Sequence, residues 1–478
     1  MKKHTYALGV LTLAGMMSSC GGETTPITKT DEGQELKFQY QAITPTPMPD
    51  LNIEGFNFPQ DSTTLNKWIK ADQTDSIYLH GWGIWAGLTS KTNIKADGDK
   101  DFLRVFETWM TPEEMIEAIK TNPKLYRSST RSNRANLKRP HQFTHFASLN
   151  QTINDSIHES VSYNPAAAQF AIDNKIFMAT SLYDMAQNGQ DEVTFFPNNA
   201  VTIKPVFKVL PASNGDNKFH ITAWNGPKDT PTGYPEQDWA SYVTIDISKN
   251  AKQEGSVYPL EDFIHYTLNE EDAHFFNKEF TENSENKMKA KAGDIAVLVG
   301  MHVGTREITN WTWQTFWWED TPDNPELPSS KAIADMRPKE LKGAARHYAM
   351  AVAYYMVAPK EPYSGKDVVG PGLYAYNPYL EAGFGPSTFD TTLSRFTDST
   401  GKINTTYLGV KTNCMSCHRM ATVNPEALGT QHNSKTPYVG NAYISRNDSL
   451  FKGQLLLDFA WSIQGNIDTT GFKAHTKQ

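Results

Sequence analysis

Cysteine is scarce in this chain, and two of its three cysteines stand together before a histidine. The sequence has 478 residues, and its cysteines are at positions 20, 414 and 417. Three cysteines cannot form a disulfide scaffold, so a hydrophobic core must hold the fold together. Residues 413–418 read Asn-Cys-Met-Ser-Cys-His, and any fold of this chain must place two thiols and an imidazole within one short segment.

The C-x-x-C-H spacing of this segment is the pattern by which c-type haem is attached to a protein. Thiols three residues apart can add to the two vinyl groups at one edge of a porphyrin, and the adjoining histidine then binds the iron. The sequence therefore predicts one covalent haem c, with Cys414 and Cys417 as its attachment points and His418 as the proximal iron ligand.

Three other chemistries use similar spacing. Cys414 and Cys417 could bind zinc with His418 and His432, although no second close pair of ligands follows them. They could form a thioredoxin-like redox pair, although nothing around them has the βαβ pattern of that fold. They could also close a small, strained disulfide loop. Haem attachment takes place outside the cytoplasm, and the export signal described below supports it independently.

A sixth iron ligand would have to come from elsewhere in the chain. The methionine that follows the motif, Met420, is two residues from His418 and would lie on the proximal side of the iron. The remaining candidates are a downstream histidine and four upstream side chains, namely His432, Met301, His302, His347 and Met350. A vacant sixth position is the alternative, and it would let the iron bind small ligands.

The first twenty residues have the features of an export signal. Two lysines precede an apolar stretch of twelve residues, too short for a stable membrane span, and two serines precede Cys20. This order resembles the lipobox of bacterial lipoproteins, with Met17 where leucine is usual. We expect residues 1–19 to be removed, Cys20 to be acylated and residues 20–50 to be a flexible tether. A cleaved signal with an incidental cysteine is the alternative.

The charge of the chain excludes some partners. Lysine and arginine number 45 against 53 aspartates and glutamates, which gives a formal net charge of −8. Loss of the two signal lysines would make it −10. This balance argues against nucleic-acid binding and against electrostatic docking on anionic lipid, so the lipid on Cys20 is the expected membrane attachment.

The rest of the sequence predicts an α+β fold with an antiparallel, β-rich central body and flanking helices. Short β-branched and aromatic runs, separated by turn residues, predict strands over 193–196, 201–210, 219–224, 242–247 and 295–303. Apolar spacing and start signals predict helices over 63–71, 111–120, 164–187 and 262–279. We expect residues 51–330 to form the body and residues 331–478 to form a mainly helical or irregular haem-bearing region integrated with it.

Two segments have more specific predictions. The run WTWQTFWW at 311–318 is a strand whose period of two places Trp311, Trp313 and Trp317 on one face. That face is predicted to be sheet core, with a haem-facing wall or a sugar-stacking platform as alternatives. Residues 339–357 have helical spacing, which would place His347 and Met350 on one helix face.

Six sequence blocks resemble a group of large, exported, single-haem cytochrome c family proteins of bacteria. The blocks are LHGWGIWAGL at 79–88, NPAAAQFAI at 164–172, GDIAVLVGMHVGTREITNWTWQTFWW at 293–318, YAYNPYLEAGF at 374–384, TNCMSCHRMA at 412–421 and NDSLFKGQLLLDFAWSI at 447–463. They extend over most of the chain, which argues against a detachable cytochrome module on an unrelated enzyme. The resemblance implies haem binding and electron transfer, and it does not identify a substrate.

The expected function is therefore that of an extracytoplasmic, lipid-anchored c-type cytochrome that passes electrons to a redox partner the sequence does not identify. One alternative is a haem enzyme with an open sixth site, either a peroxidase or another substrate-oxidising oxidoreductase. Another is a surface ligand-binding lipoprotein, for example for carbohydrate. The sequence contains no G-x-S-x-G, H-E-x-x-H, P-loop or dinucleotide-binding motif.

Overall fold

The computed structural model describes residues 43–96, 101–121, 157–228, 233–281, 289–356, 373–384, 412–430 and 438–473. It also describes the backbone of four short strands at 28–29, 35–36, 395–397 and 403–405. The predicted signal peptide, Cys20, most of the predicted tether and His432 lie outside the described residues. The chain divides into a unit of residues 1–39 and a unit of residues 40–478.

Ten helices are present in the described residues, and most are short. They are α1 Ser62–Ala71, α2 Thr74–Thr89, α3 Pro112–Thr121, α4 Pro165–Asp173, α5 Ala179–Gln187, α6 Glu270–Thr281, α7 Lys331–Asp335, α8 Pro378–Glu381, α9 Cys414–His418 and α10 Trp461–Gly465. Helices α1 and α3 lie where the sequence predicts them. The helix predicted over 164–187 is interrupted between α4 and α5, where Lys175 has a left-handed backbone with φ 51°. None of the described helices is long and apolar enough to cross a bilayer.

Sixteen strands are present in the described residues. They are β1 Thr28–Lys29, β2 Glu35–Leu36, β3 His158–Glu159, β4 Ser162–Tyr163, β5 Val201–Leu210, β6 Lys218–Thr222, β7 Tyr242–Asp246, β8 Val257–Pro259, β9 His265–Thr267, β10 Ile295–Thr305, β11 Thr312–Trp318, β12 Tyr348–Ala353, β13 Arg395–Thr397, β14 Ile403–Thr405, β15 Thr422–Val423 and β16 Leu455–Leu456. Strands β5, β6, β7, β10 and β11 match predictions. The strand predicted at 193–196 is wrong; the segment is irregular, and Pro197 after it has no N–H to donate to a ladder.

A seven-stranded antiparallel sheet organises the larger unit and confirms the predicted α+β class. Its main order is β12-β11-β10-β5-β3, with β4 also paired to β5 and β9 to β10. Strand β12, from the predicted C-terminal region, pairs with β11 of the predicted body. A smaller sheet of β6, β7 and β8 contains one parallel pair, between β7 and β8.

The two faces of the large sheet have different neighbours. Helix α2 covers one face, where Trp85 stacks on Phe316 with ring centroids 4.3 Å apart and a Cβ on Gly81 would meet the sulfur of Met350 at 2.8 Å. Met301 pairs across the ladder with Phe316 and shares this face. Because side chains alternate along a strand, the next residue of β10 points to the opposite face.

The helix predicted over 339–357 is wrong. Residues Gly343–His347 form a 3-10 turn, and the residues after them form β12. Every residue of β12 is buried, and a short, uniformly apolar run suits a doubly covered strand as well as a buried helix. The helix predicted over 262–279 begins only at α6, because residues 265–267 pair with β10 as β9.

Candidate functional site

The C-x-x-C-H segment forms a single helical turn, α9, whose start is determined by Asn413. The side-chain oxygen of Asn413 accepts a hydrogen bond from the backbone N–H of Ser416 at 3.1 Å, which caps the turn. Its amide nitrogen lies 2.5 Å from the carbonyl oxygen of Met356 and 3.1 Å from that of Leu373. The fully buried Asn413 therefore ties the motif to two distant segments.

The two motif cysteines are separate, protonated thiols. Neither Cys414 nor Cys417 is in a disulfide, and burial raises the pKa of both. The Cys414 thiol donates to the carbonyl oxygen of Ala375 at 3.0 Å, and the Trp461 indole N–H donates to the carbonyl oxygen of Cys417 at 3.0 Å. Thioredoxin-like chemistry needs a lowered thiol pKa, so this environment disfavours a redox pair.

Of the four residues in the zinc interpretation, the structure describes Cys414, Cys417 and His418. Within the ranges that the structure describes, no three His, Cys, Asp or Glu side chains are grouped to hold a metal ion. His432, which the zinc interpretation needs, lies outside those ranges.

The motif histidine is held as a neutral imidazole. His418 Nδ1 donates to the carbonyl oxygen of Phe459 at 2.8 Å, because a carbonyl oxygen can only accept. Burial is the main reason that the pKa of His418 falls to about 3, and it outweighs the opposing effect of the hydrogen bond to Phe459. Its Nε2 therefore keeps a lone pair, which is the form of histidine that binds a metal.

Cys414, Cys417 and His418 border one cavity between the large sheet and the C-terminal segments. The cavity has about 1290 Å³ of space between protein atoms, part of it open to solvent. Residues from both sides form its walls, among them Thr202, Lys204, His302, Gly304, Trp313, Glu381, Phe384, Tyr438, Phe459 and Trp461. Aromatic rings are frequent in these walls, and a few charged groups converge among them, as in ligand-binding pockets generally.

The charged groups of the cavity are paired. Lys204 lies 2.9 Å from Glu159, and His302 lies 2.8 Å from Glu381. Two bases and two acids face each other, so the cavity has no excess of positive charge to select an anionic ligand.

The structure brings one of the described sixth-ligand candidates to this cavity. His302 borders it, whereas Met301 and Met350 lie on the face of the sheet that α2 covers. His347 lies 3.2 Å from Asp262 and is not among the cavity residues. His432 lies outside the described residues.

The aromatic run of β11 is buried, as predicted, but part of it also faces the cavity. Trp311, Trp313, Trp317 and Trp318 are at most 4% exposed, so they form no surface platform for a sugar. Trp311 and Trp313 line the cavity, in agreement with the alternative of a wall at the motif.

Three charged residues of the site, Lys204, Glu159 and Glu381, are not predicted by the sequence patterns. Strand alternation could have found Lys204, because it follows Thr202 on the same face of β5 and pairs with His302. Glu381 belongs to the block at 374–384, to which the resemblance assigns no role. No sequence pattern places Glu159 beside Lys204, since they are 45 positions apart in the chain.

Comparisons with protein-family models, with curated proteins and with solved structures find no match to this chain. The resemblance to exported cytochromes therefore stays a prediction. The functional interpretation rests on the motif and on the geometry of the cavity.

Proposed function

We propose that this protein carries one covalent haem c and functions in electron transfer outside the cytoplasm. Cys414 and Cys417 would hold the porphyrin, and His418 would bind the iron from the proximal side. The observation that supports this most strongly is that one helical turn presents both thiols and a neutral imidazole to a single cavity.

The residues present fit such a group. Thioether formation would add the S–H of a reduced cysteine across each vinyl double bond, and both motif cysteines are free of disulfides. Aromatic side chains such as Tyr438 and Trp461 border the cavity, as aromatic side chains do in cofactor pockets generally. His418 uses Nδ1 for the carbonyl oxygen of Phe459, the kind of hydrogen bond that orients an imidazole and leaves its other nitrogen for a metal.

A haem bound here would supply a one-electron iron couple, whose potential depends on burial, axial ligands and hydrogen bonds. The chain's own residues set those terms. The Phe459 carbonyl oxygen orients His418, and Trp313 packs on the imidazole with ring centroids 3.9 Å apart. The buried Arg419 guanidinium lies 4.2 Å from the ring centroid of Phe459, the residue that orients His418, and its charge interacts with that of Glu192.

The cellular setting is part of the same proposal. An export signal and acylation of Cys20 would place the site outside the cytoplasm, on a membrane-tethered protein. The partner would then be another redox protein that reaches the membrane surface.

A second candidate function is turnover of a small substrate at an open iron site. It is favoured by the solvent opening of the cavity and by the acid–base pairs at His302 and Lys204. Carrier and enzyme differ in the sixth iron position, which is occupied by the protein in a simple carrier and available to ligand in an enzyme.

The test is to export the full-length chain from cells with a c-haem maturation system and to stain a denaturing gel for haem peroxidase activity. We expect one haem-stained band at the size of the chain, lost in Cys414→Ala/Cys417→Ala. Cys20→Ser is the matched control, because it replaces the third cysteine and should keep the stain. A chain that accumulates without any stained band would overturn the proposal.

A further inference from the structure

His302 reaches the cavity because of its position on β10. It pairs with Lys204 on β5 and with Thr315 on β11, so it lies in the middle of the sheet rather than at an edge. Its neighbour Met301 is fully buried on the α2 face. The same cavity is bordered by His418, so two imidazoles from remote parts of the chain face one space.

Glu381 is held against His302 from two directions. One carboxylate oxygen lies 2.8 Å from His302 Nε2, and the other accepts the backbone N–H of Asn377 at 2.6 Å. Asn377 in turn donates to Thr315 Oγ1 at 3.0 Å. Its amide lies over Gly300, where a Cβ would be 2.7 Å from the amide nitrogen. The position of Glu381 therefore follows from the sheet itself.

The pair has the chemistry of a supported metal ligand. An imidazole that binds a metal usually donates its other ring N–H to a carboxylate or a carbonyl oxygen, which fixes its tautomer and raises its basicity. Glu381 contacts Nε2 of His302, so Nδ1 is the nitrogen that keeps a lone pair. His418 has the complementary arrangement, with Nδ1 bonded to Phe459 and Nε2 left over.

We propose that His302 is the sixth ligand of the haem iron and that Glu381 is its positioning residue. This rests on the proposed haem site, and it deepens the carrier function, because a second histidine ligand would leave no iron position open to substrate. Lys204, the other base in the cavity, has Glu159 as its own carboxylate partner. Glu381 is therefore not needed to neutralise Lys204.

The experiment uses the ferric, haem-loaded full chain and its visible and electron paramagnetic resonance spectra. We expect a low-spin wild type. His302→Ala should be high-spin and should bind added cyanide or imidazole rapidly. Glu381→Gln should stay low-spin, but added imidazole should displace His302 at roughly 10–100-fold lower concentration, the usual effect of losing a ligand's supporting carboxylate. His347→Ala is the matched control and should resemble the wild type.

His302→Met is a second test of the assignment, for use if His302→Ala does not fold. Methionine can replace one histidine as an axial ligand and raises the reduction potential, so this variant should remain low-spin at a higher potential. A high-spin wild type, or a low-spin spectrum unchanged in both His302 variants, would overturn the assignment. Absence of covalent haem would instead overturn the proposed function, so the two failures are distinct.

Discussion

The indole ring of Trp313 lies on the imidazole ring of His418, with centroids 3.9 Å apart and planes inclined by 31°. The indole crosses Gly304 of the neighbouring strand, where a Cβ would be 2.9 Å from the ring. Its N–H donates to the carbonyl oxygen of Asn310 at 3.2 Å. Because Gly304 has no side chain, the Trp313 ring has room to pack on His418.

Gly304→Ala should therefore disturb the site from the sheet side. The new methyl group would overlap Trp313 and lie 3.3 Å from Trp311, and overpacking of this kind costs about 1–3 kcal/mol. Urea unfolding followed by tryptophan fluorescence measures the loss and the shift in the indole environment.

Gly465→Ala is the control for that substitution. Gly465 also borders the cavity, but a methyl group at this position would meet no atom within 4 Å, and the residue lies in helix α10, where alanine is favoured. The stability of this variant should be unchanged or slightly higher. Equal losses in the two variants would contradict the role assigned to Trp313.

Asn413→Asp should separate the two functions of the motif's capping residue. The aspartate can still accept the N–H of Ser416 and cap α9, but it cannot donate to the carbonyl oxygens of Met356 and Leu373. These two carbonyl oxygens would then lose their donor and face a carboxylate. We expect the free energy of unfolding, measured by chemical denaturation, to fall by roughly 1–3 kcal/mol or more.

Asn424→Asp is the comparison, because Asn424 caps a 3-10 turn by accepting the N–H of Glu426. Aspartate and asparagine are about equally good in that role, so we expect little change. A harmless Asn413→Asp would show that the contacts to the distant carbonyl oxygens contribute nothing.

Stability should fall with rising pH because of Glu319. Burial, followed by the hydrogen bond with Asp320, raises the pKa of this glutamate from 4.5 to about 8. Between these values the unfolded chain loses the proton while the folded chain keeps it. The unfolded state is therefore favoured as pH rises through this window, by at most about 1.4 kcal/mol per pH unit.

Glu319→Gln should remove this contribution, because an amide can still accept from Trp317 and donate to Asp320. Urea unfolding from pH 5 to pH 8.5 should show a shallower decline than in the wild type, with the largest gain at the alkaline end. Glu254→Gln replaces an exposed glutamate and should keep the wild-type slope. A parallel decline in Glu319→Gln would refute the assignment.

Cys20→Ser should release the protein from the membrane. The predicted acylation needs the cysteine sulfur, and the formal charge of the chain offers no attraction to anionic lipid in its place. Growth with an alkyne-tagged fatty acid, followed by fractionation, should show label and membrane association in the wild type and neither in the variant. Cys417→Ser retains Cys20 and should keep both; label that persists in Cys20→Ser would exclude this anchor.

The local part of the candidate site could be read from the sequence. Cys414, Cys417 and His418 lie within five residues, so one helical turn is enough to bring them to one side. The strands β5, β10 and β11 were also predictable, because long β-branched and aromatic runs between turn residues have few other conformations. These features depend on neighbours in the chain.

The positions of the sixth-ligand candidates in the fold could not be predicted from their neighbours in the chain. Residues 348–353 are apolar throughout, and only their pairing with β11 makes them a strand. That pairing moves Met350 to the α2 face and leaves His347 outside the cavity, whereas helical spacing would have grouped them.

The sequence by itself determined the chemistry of the motif, because thiols and imidazole at this spacing share one turn wherever that turn is placed. It also determined the class of the fold, through the period of its apolar residues. Only the tertiary structure decided that His302, among the candidate histidines in the described ranges, borders the cavity of the motif. His302 and Met301 are adjacent in the chain, and the pairing of β10 with β5 and β11 sends one to the cavity and the other to the core. Strand pairing brings together residues about a hundred positions apart in the chain. A shift of the strand register by one residue would exchange the side chains on the two faces of the sheet.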